Sequence, residues 1–126
     1  MKTHALLLTA ALTIAVFPVT SAEARQTGWI NGFEWFRIAK TLSAKGEMPV
    51  SVKCKDSGSK GLTYKSGVAN VRIEKNPNHI KWYWAFGNRV AAVKPKLEKQ
   101  GYKLVSYSAY RRSSGLKVPC AIWHKK

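Results

Sequence analysis

Gly46-Glu-Met-Pro-Val-Ser51 and, 55 positions later, Gly101-Tyr-Lys-Leu-Val-Ser106 share a glycine and a Val-Ser pair in the same register. Upstream, the same shift lays Trp29 on Trp84, Gly32 on Gly87 and Leu42 on Leu97. Self-similarity at a fixed offset is the mark of a repeated unit, so the chain is expected to hold two pseudo-repeats, about 25–76 and 77–126. Local signals recur in the same order. Asn31 can cap a helix, with Glu34 three residues later returning the bond. Trp35, Ile38 and Leu42, flanked by Phe36 and Ala39, form a helical apolar stripe, and Gly46 ends it. Val50, Val52 and Cys54 then alternate as one face of a strand. A turn at Asp56–Gly61 leads to a return strand ending near Glu74, with Val71 and Ile73 on one face.

The second unit follows Asn76-Pro-Asn78. Ile80-Lys-Trp-Tyr-Trp-Ala-Phe86 alternates like a strand, a helix is predicted from about Asn88 to Gln100, and Pro95 should kink that helix or delay its start. Val105, Tyr107 and Ala109 are expected on the face that Val50, Val52 and Cys54 occupy in the first unit. One helix over one hairpin cannot hide its apolar side alone. The expected fold is therefore α+β: two helix–β-hairpin pseudo-repeats sharing a four-stranded antiparallel sheet.

The start of the chain looks like an address. Met1-Lys2 precedes an apolar run, and Ala22-Glu-Ala24 offers small residues at signal-peptidase spacing, so residues 1–24 are expected to be a cleaved signal peptide. The alternative is a retained anchor, but Ala5–Val19 falls short of the ~20 residues a spanning helix needs, and no later stretch is long and apolar enough. Periplasmic or secreted localisation follows. There Cys54 and Cys120, the only cysteines in the chain, are expected to form a disulfide worth about 2–4 kcal/mol, the alternative being two buried thiols. The return strands can be aligned with Ile73 on Trp123 or on Ile122. The second choice points Cys120 and Ile122 toward Cys54 and turns Trp123 outward.

The second unit, through Trp84, Gly87, Gly101-Tyr-Lys-Leu-Val-Ser106, Tyr110 and Ala121-Ile-Trp123, resembles a short tandem repeat of secreted bacterial proteins that stands beside β-lactamase-like serine hydrolase domains. The first unit departs from that pattern, with Glu47 at the tyrosine, Lys55 at the later aromatic and no terminal tryptophan. The resemblance implies a module that assists, binds or positions something and contributes no catalytic residues of its own. The hydrolase domain itself is absent from the chain.

Charge is the strongest functional signal. The chain carries 22 Lys and Arg against 6 Asp and Glu, a net +16. Losing residues 1–24 removes one base, Lys2, and one acid, Glu23, and leaves the excess intact. A hydrophobic content of 45% excludes a disordered basic tail. The expected partner is an anionic polymer or acidic surface: envelope polysaccharide, lipid head groups, nucleic acid or an acidic protein. Candidate anion contacts ring the two hairpins at Lys53, Lys55, Lys60, Lys65, Arg111, Arg112 and Lys117. The blander reading is that these bases serve solubility. Tyr83, Tyr110 and Trp123 are candidate aromatic contacts, whereas Trp82 and Trp84 are expected in the core. No phosphate loop, nucleophile elbow or metal-ligand spacing is present, so no cofactor, metal or catalytic residue is expected. The rival readings are a small nuclease-like hydrolase using His79 and His124, and an inhibitor or accessory protein of the cell envelope.

Overall fold

The computed structural model describes residues 24–58 and 67–126. Residues 1–23 of the expected signal peptide and the bases Lys60 and Lys65 lie outside the described residues. The elements are β1 (Arg25–Gln26), β2 (Ile30–Asn31), α1 (Gly32–Leu42), β3 (Glu47–Asp56), β4 (Gly67–Lys75), β5 (Lys81–Phe86), α2 (Asn88–Lys99), β6 (Lys103–Arg111) and β7 (Lys117–Lys125). The class is α+β, as the sequence implies, but the strands do not share one sheet. Two antiparallel sheets form: β4 flanked by β3 on one side and by β1 and β2 on the other, and β7 between β5 and β6. Each sheet is wound alike. A strand, a helix and a hairpin follow in order, and the first strand pairs with the last.

Helix α1 begins as its sequence dictates. The Asn31 side chain accepts from the Glu34 N–H at 2.9 Å, and the Glu34 carboxylate accepts from the Asn31 N–H at 3.3 Å. Trp35, Ala39 and Leu42 are buried, whereas Phe36 lies on the outer face. Helix α2 starts at Asn88 with Gly87 as its N-cap and runs through Pro95, so the proline does not delay its start. Asn76 ties the two halves together. Its side chain donates to the Ile80 carbonyl and accepts from the Ile80 N–H, both at 2.8 Å, while its own N–H reaches Gly46 O. His79 takes φ 51° to close that turn.

Both hairpins carry a β-bulge, and the bulges fall at matching positions. Pro49 pairs with Ile73 and Ser51 with Arg72, which skips Val50. Leu104 pairs with Trp123 and Ser106 with Ile122, which skips Val105. A bulge adds one residue and reverses the alternation beyond it. Hence Pro49, not Val50, shares the buried side with Val52 and Cys54. In the second strand Leu104, not Val105, shares a side with Tyr107 and Ala109, and that side bears α2, as the side of Val52 and Cys54 bears α1. Tyr107 is nevertheless exposed there, and Ser106 and Ser108 turn toward the main core.

The main core lies between α1 with one face of the first sheet and the helix-free face of the second. It gathers Trp35, Leu42, Val52, Val71 and Ile73 with Cys120 and Ile122, and Trp82, Trp84 and Phe86 pack on its margin. Trp35 meets Trp84 edge to face, with centroids 5.8 Å apart. A smaller core lies under α2, where Val90 and Leu97 cover Ala85, Ala121 and Trp123. Trp123 is thus fully buried, against expectation. It does point away from Cys120 and Ile122, but α2 covers that side of the sheet. The pairings also equate Ile73 with Trp123, the alignment the sequence argument passed over.

Cys54 and Cys120 are bonded, with Cα atoms 6.4 Å apart. Beside them β3 and β6 run parallel without backbone pairing. Instead the Val52 N–H donates to Ser106 Oγ at 2.9 Å and the Cys54 N–H to Ser108 Oγ at 3.3 Å. Serines two residues apart match the two-residue period of the free N–H groups along the β3 edge. Removing an acceptor strands a buried donor, which costs about 1–3 kcal/mol. Ser106→Ala should therefore lower unfolding free energy by about that amount in urea titrations, against about 0.5 kcal/mol or less for Ser113→Ala in the exposed β6–β7 turn.

Candidate functional site: an aromatic cleft and a cationic face

Strand register sorts the expected anion contacts. Lys53 lies opposite Asn70, Lys55 opposite Val68 and Ser51 opposite Arg72. Paired residues share a face, so Lys53, Lys55 and Arg72 project together from the outer face of the first sheet. Neither helix covers that face, because α1 packs on its reverse and α2 on the other sheet. Trp29 joins them. Gly28, at φ 75°, turns the chain out between β1 and β2, and Lys55 Nζ sits 4.2 Å from the Trp29 ring centroid. Lys53 and Lys55 are candidate contacts from the sequence, whereas Arg72 and Trp29 join them only through strand register and the path of the chain. The usable signal for Trp29 was its place after Gly28, in the three-residue break between β1 and β2.

Arg111 and Lys117 face each other across the second hairpin on the α2 side of the sheet, where Lys117 Nζ lies 5.8 Å from the exposed Tyr107 ring. Tyr83 is half-buried on that side under α2, and its hydroxyl accepts from Arg89 at 2.7 Å. It is a packing residue with a polar tip.

Tyr110 and Arg112 go elsewhere, into a cleft of about 330 Å³ beside the disulfide. Trp84, Phe86 and Tyr110 supply its aromatic walls, Val68, Ala69, Val118 and Pro119 its aliphatic ones, and Arg89 and Arg112 its positive charge. Cys54 and Cys120 contribute to the lining. Gly32, Gly67 and Gly87 leave space where other residues would project side chains. At Gly67 the need is steric. A Cβ there would collide with the Tyr110 hydroxyl and lie 3.4 Å from its ring carbon. Four of the residues singled out from sequence (Cys54, Cys120, Tyr110 and Arg112) thus meet in one place, joined by Arg89, Trp84 and Phe86. No periodic pattern announced Arg89, because it is set by the first turn of α2.

The carboxylates of residues 25–126 are all engaged locally. Glu47 pairs with Arg25, Glu74 with Arg72 at 3.2 Å and Glu98 with Lys94 at 3.0 Å. Glu34 closes the α1 cap and Asp56 accepts from the Gly58 N–H. The two histidines among the described residues are apart in role. His124 Nε2 is 2.7 Å from the Pro49 carbonyl, while His79 lies in the turn after Asn76 and lines a different cleft with Glu47, Trp82 and Tyr102. Among the described residues no three His, Cys, Asp or Glu side chains come together as metal ligands would, and no helix is long and apolar enough to cross a membrane. No family model matches the chain, and neither a curated protein nor a solved structure matches it. Fold and surfaces together define a small, disulfide-linked, cationic α+β module.

Gly67→Ala should cost about 1–3 kcal/mol through the clash with Tyr110. Adding Tyr110→Phe, which removes the offending hydroxyl, should recover part of that loss in a double-mutant cycle of denaturant midpoints. Additive effects would contradict the contact.

Proposed function

We propose that this chain is an exported, non-catalytic module that holds an anionic polymer on the open face of its first sheet. The observation that carries this reading is the placement of Lys53, Lys55 and Arg72 on one face that neither helix covers, beside Trp29, with Glu74, bonded to Arg72, as the carboxylate among them. A polymer bearing phosphate, sulfate or carboxylate groups gains by releasing counterions along such a face, and an exposed indole adds stacking on sugars or bases. The disulfide supports an oxidising destination, periplasmic or outside the cell. The matching bulges at Val50 and Val105, and the common strand–helix–hairpin order, support descent of both halves from one duplicated unit. That descent fits the resemblance of the second half to a secreted repeat which positions its partners.

The reading makes a quantitative demand. For a single-stranded oligonucleotide used as a probe polyanion, log affinity should fall linearly with log salt. Replacing Lys53, Lys55 and Arg72 together by Ala should flatten that slope by about 2, from roughly 0.7 per lost phosphate contact. An unchanged slope in the triple variant would move the binding surface elsewhere. Salt-independent affinity would remove polyanion binding from the account.

A further inference from the structure

The cleft that His79 lines has a volume of about 410 Å³, within the range for small-molecule sites. It lies at the C-terminal end of α1, where Ser43 borders it, and the disulfide cleft lies at the other end, beside Gly32. Glu47, Lys81, Trp82 and Tyr102 complete its chemistry. We propose that this cleft binds an uncharged pyranose residue, with a sugar hydroxyl donating to Glu47 and the C–H face of the sugar laid on an aromatic ring.

The carboxylate carries the argument. Glu47 is only 8% exposed. Arg25 holds its Oε2, while Oε1 is buried without a hydrogen-bond partner among the described residues. A buried acceptor without a donor is costly, and a sugar hydroxyl supplies one in a charge-assisted bond. Because Arg25 already answers the charge of Glu47, the missing group is a donor and not a second cation. Lys81 in the same lining, and Lys125 with its Nζ 5.7 Å from the Tyr102 ring centroid, disfavour an ammonium ligand further. Glu47 in turn disfavours an acid. The aromatic groups fit the same ligand. Trp82 and Tyr102 are half-buried, so each keeps part of its ring open. Such rings offer an apolar face and one polar tip, the counterpart of a sugar with C–H groups on its faces and hydroxyls around its rim. His79, exposed in the turn after Asn76, adds a ring that can donate or accept. None of these residues belongs to the open cationic face, so the inference stands apart from polyanion binding.

The test follows the indole N–H signals of the full chain by NMR during titration with maltotriose, cellotriose and chitotriose, with butylammonium and hexanoate as charged probes. At least one trisaccharide should shift the Trp82 signal saturably and bind more tightly than either charged probe. Glu47→Gln should weaken that binding about fivefold. His79→Gly, which suits φ 51°, should weaken it roughly threefold and serves as the second variant should Glu47→Gln fail to fold. Ser43→Phe, at the exposed C-cap of α1, should block the site while signals elsewhere stay native. Three results would each overturn the proposal: no trisaccharide binds saturably; butylammonium binds more tightly than all three; or saccharide binding survives Ser43→Phe and is lost in Trp29→Ala, which would place it on the open face. The variant lacking Lys53, Lys55 and Arg72 should keep its saccharide affinity while it loses the oligonucleotide, so that either reading can fail without the other.

Discussion

Everything in this molecule depends on how the edge of β3 is closed. That edge carries N–H groups that β4 does not use, and β6 runs beside it in the same direction without forming a ladder. Two serine hydroxyls take the place of strand carbonyls, at Val52 and Cys54, and a disulfide follows at once between Cys54 and Cys120. An open β edge invites pairing with other chains, and here it is shut by side chains of the second half. Because the hydroxyls reach only to the edge, the two sheets need not merge. They can turn to face one another and enclose the main core.

The halves consequently stack head to tail. The helix-bearing face of the first sheet meets the helix-free face of the second, and α2 covers what is left. This explains why equivalent positions have unlike fates. Val52 and Tyr107 correspond across the two bulges, yet Val52 is buried between the sheets and Tyr107 is exposed beyond the reach of α2. It also explains the two surfaces. Among the described residues no helix or sheet stacks on the outer face of the first sheet, where Lys53, Lys55 and Arg72 lie exposed beside Trp29. The cleft opens where the seam ends, at the disulfide, between Gly67, Tyr110 and the start of α2.

Much of the fold was legible because local chemistry determined it. The Asn31–Glu34 cap, the glycine stops, the hairpins and the cysteine pair all follow from neighbouring residues or from two sulfurs. Shared sheet or separate sheets was not legible, because the answer lies in hydroxyl bonds between residues more than 50 positions apart. Bulges were hidden too. Val50-Ser51 and Val105-Ser106 look like uninterrupted alternation, and one extra residue in each reverses every face beyond it. Trp123 misled for a related reason. Its parity was read correctly, but burial depended on α2 lying across that parity, at the cost of an indole N–H that has no hydrogen-bond partner. Of the candidate site, Tyr110 and Arg112 were found by type and turn position. Arg89 and Trp29 needed the path of the chain.

The central claim is that the seam makes the two halves one cooperative unit. Native-state hydrogen exchange of the buried amides of Val71 in the first sheet and Ala121 in the second, followed against rising denaturant, tests it most directly. With the disulfide intact, both amides should converge on one opening free energy equal to that of global unfolding. If Ala121 instead exchanged through a separate, lower-energy opening while Val71 stayed protected, the halves would be independent and the account would be wrong.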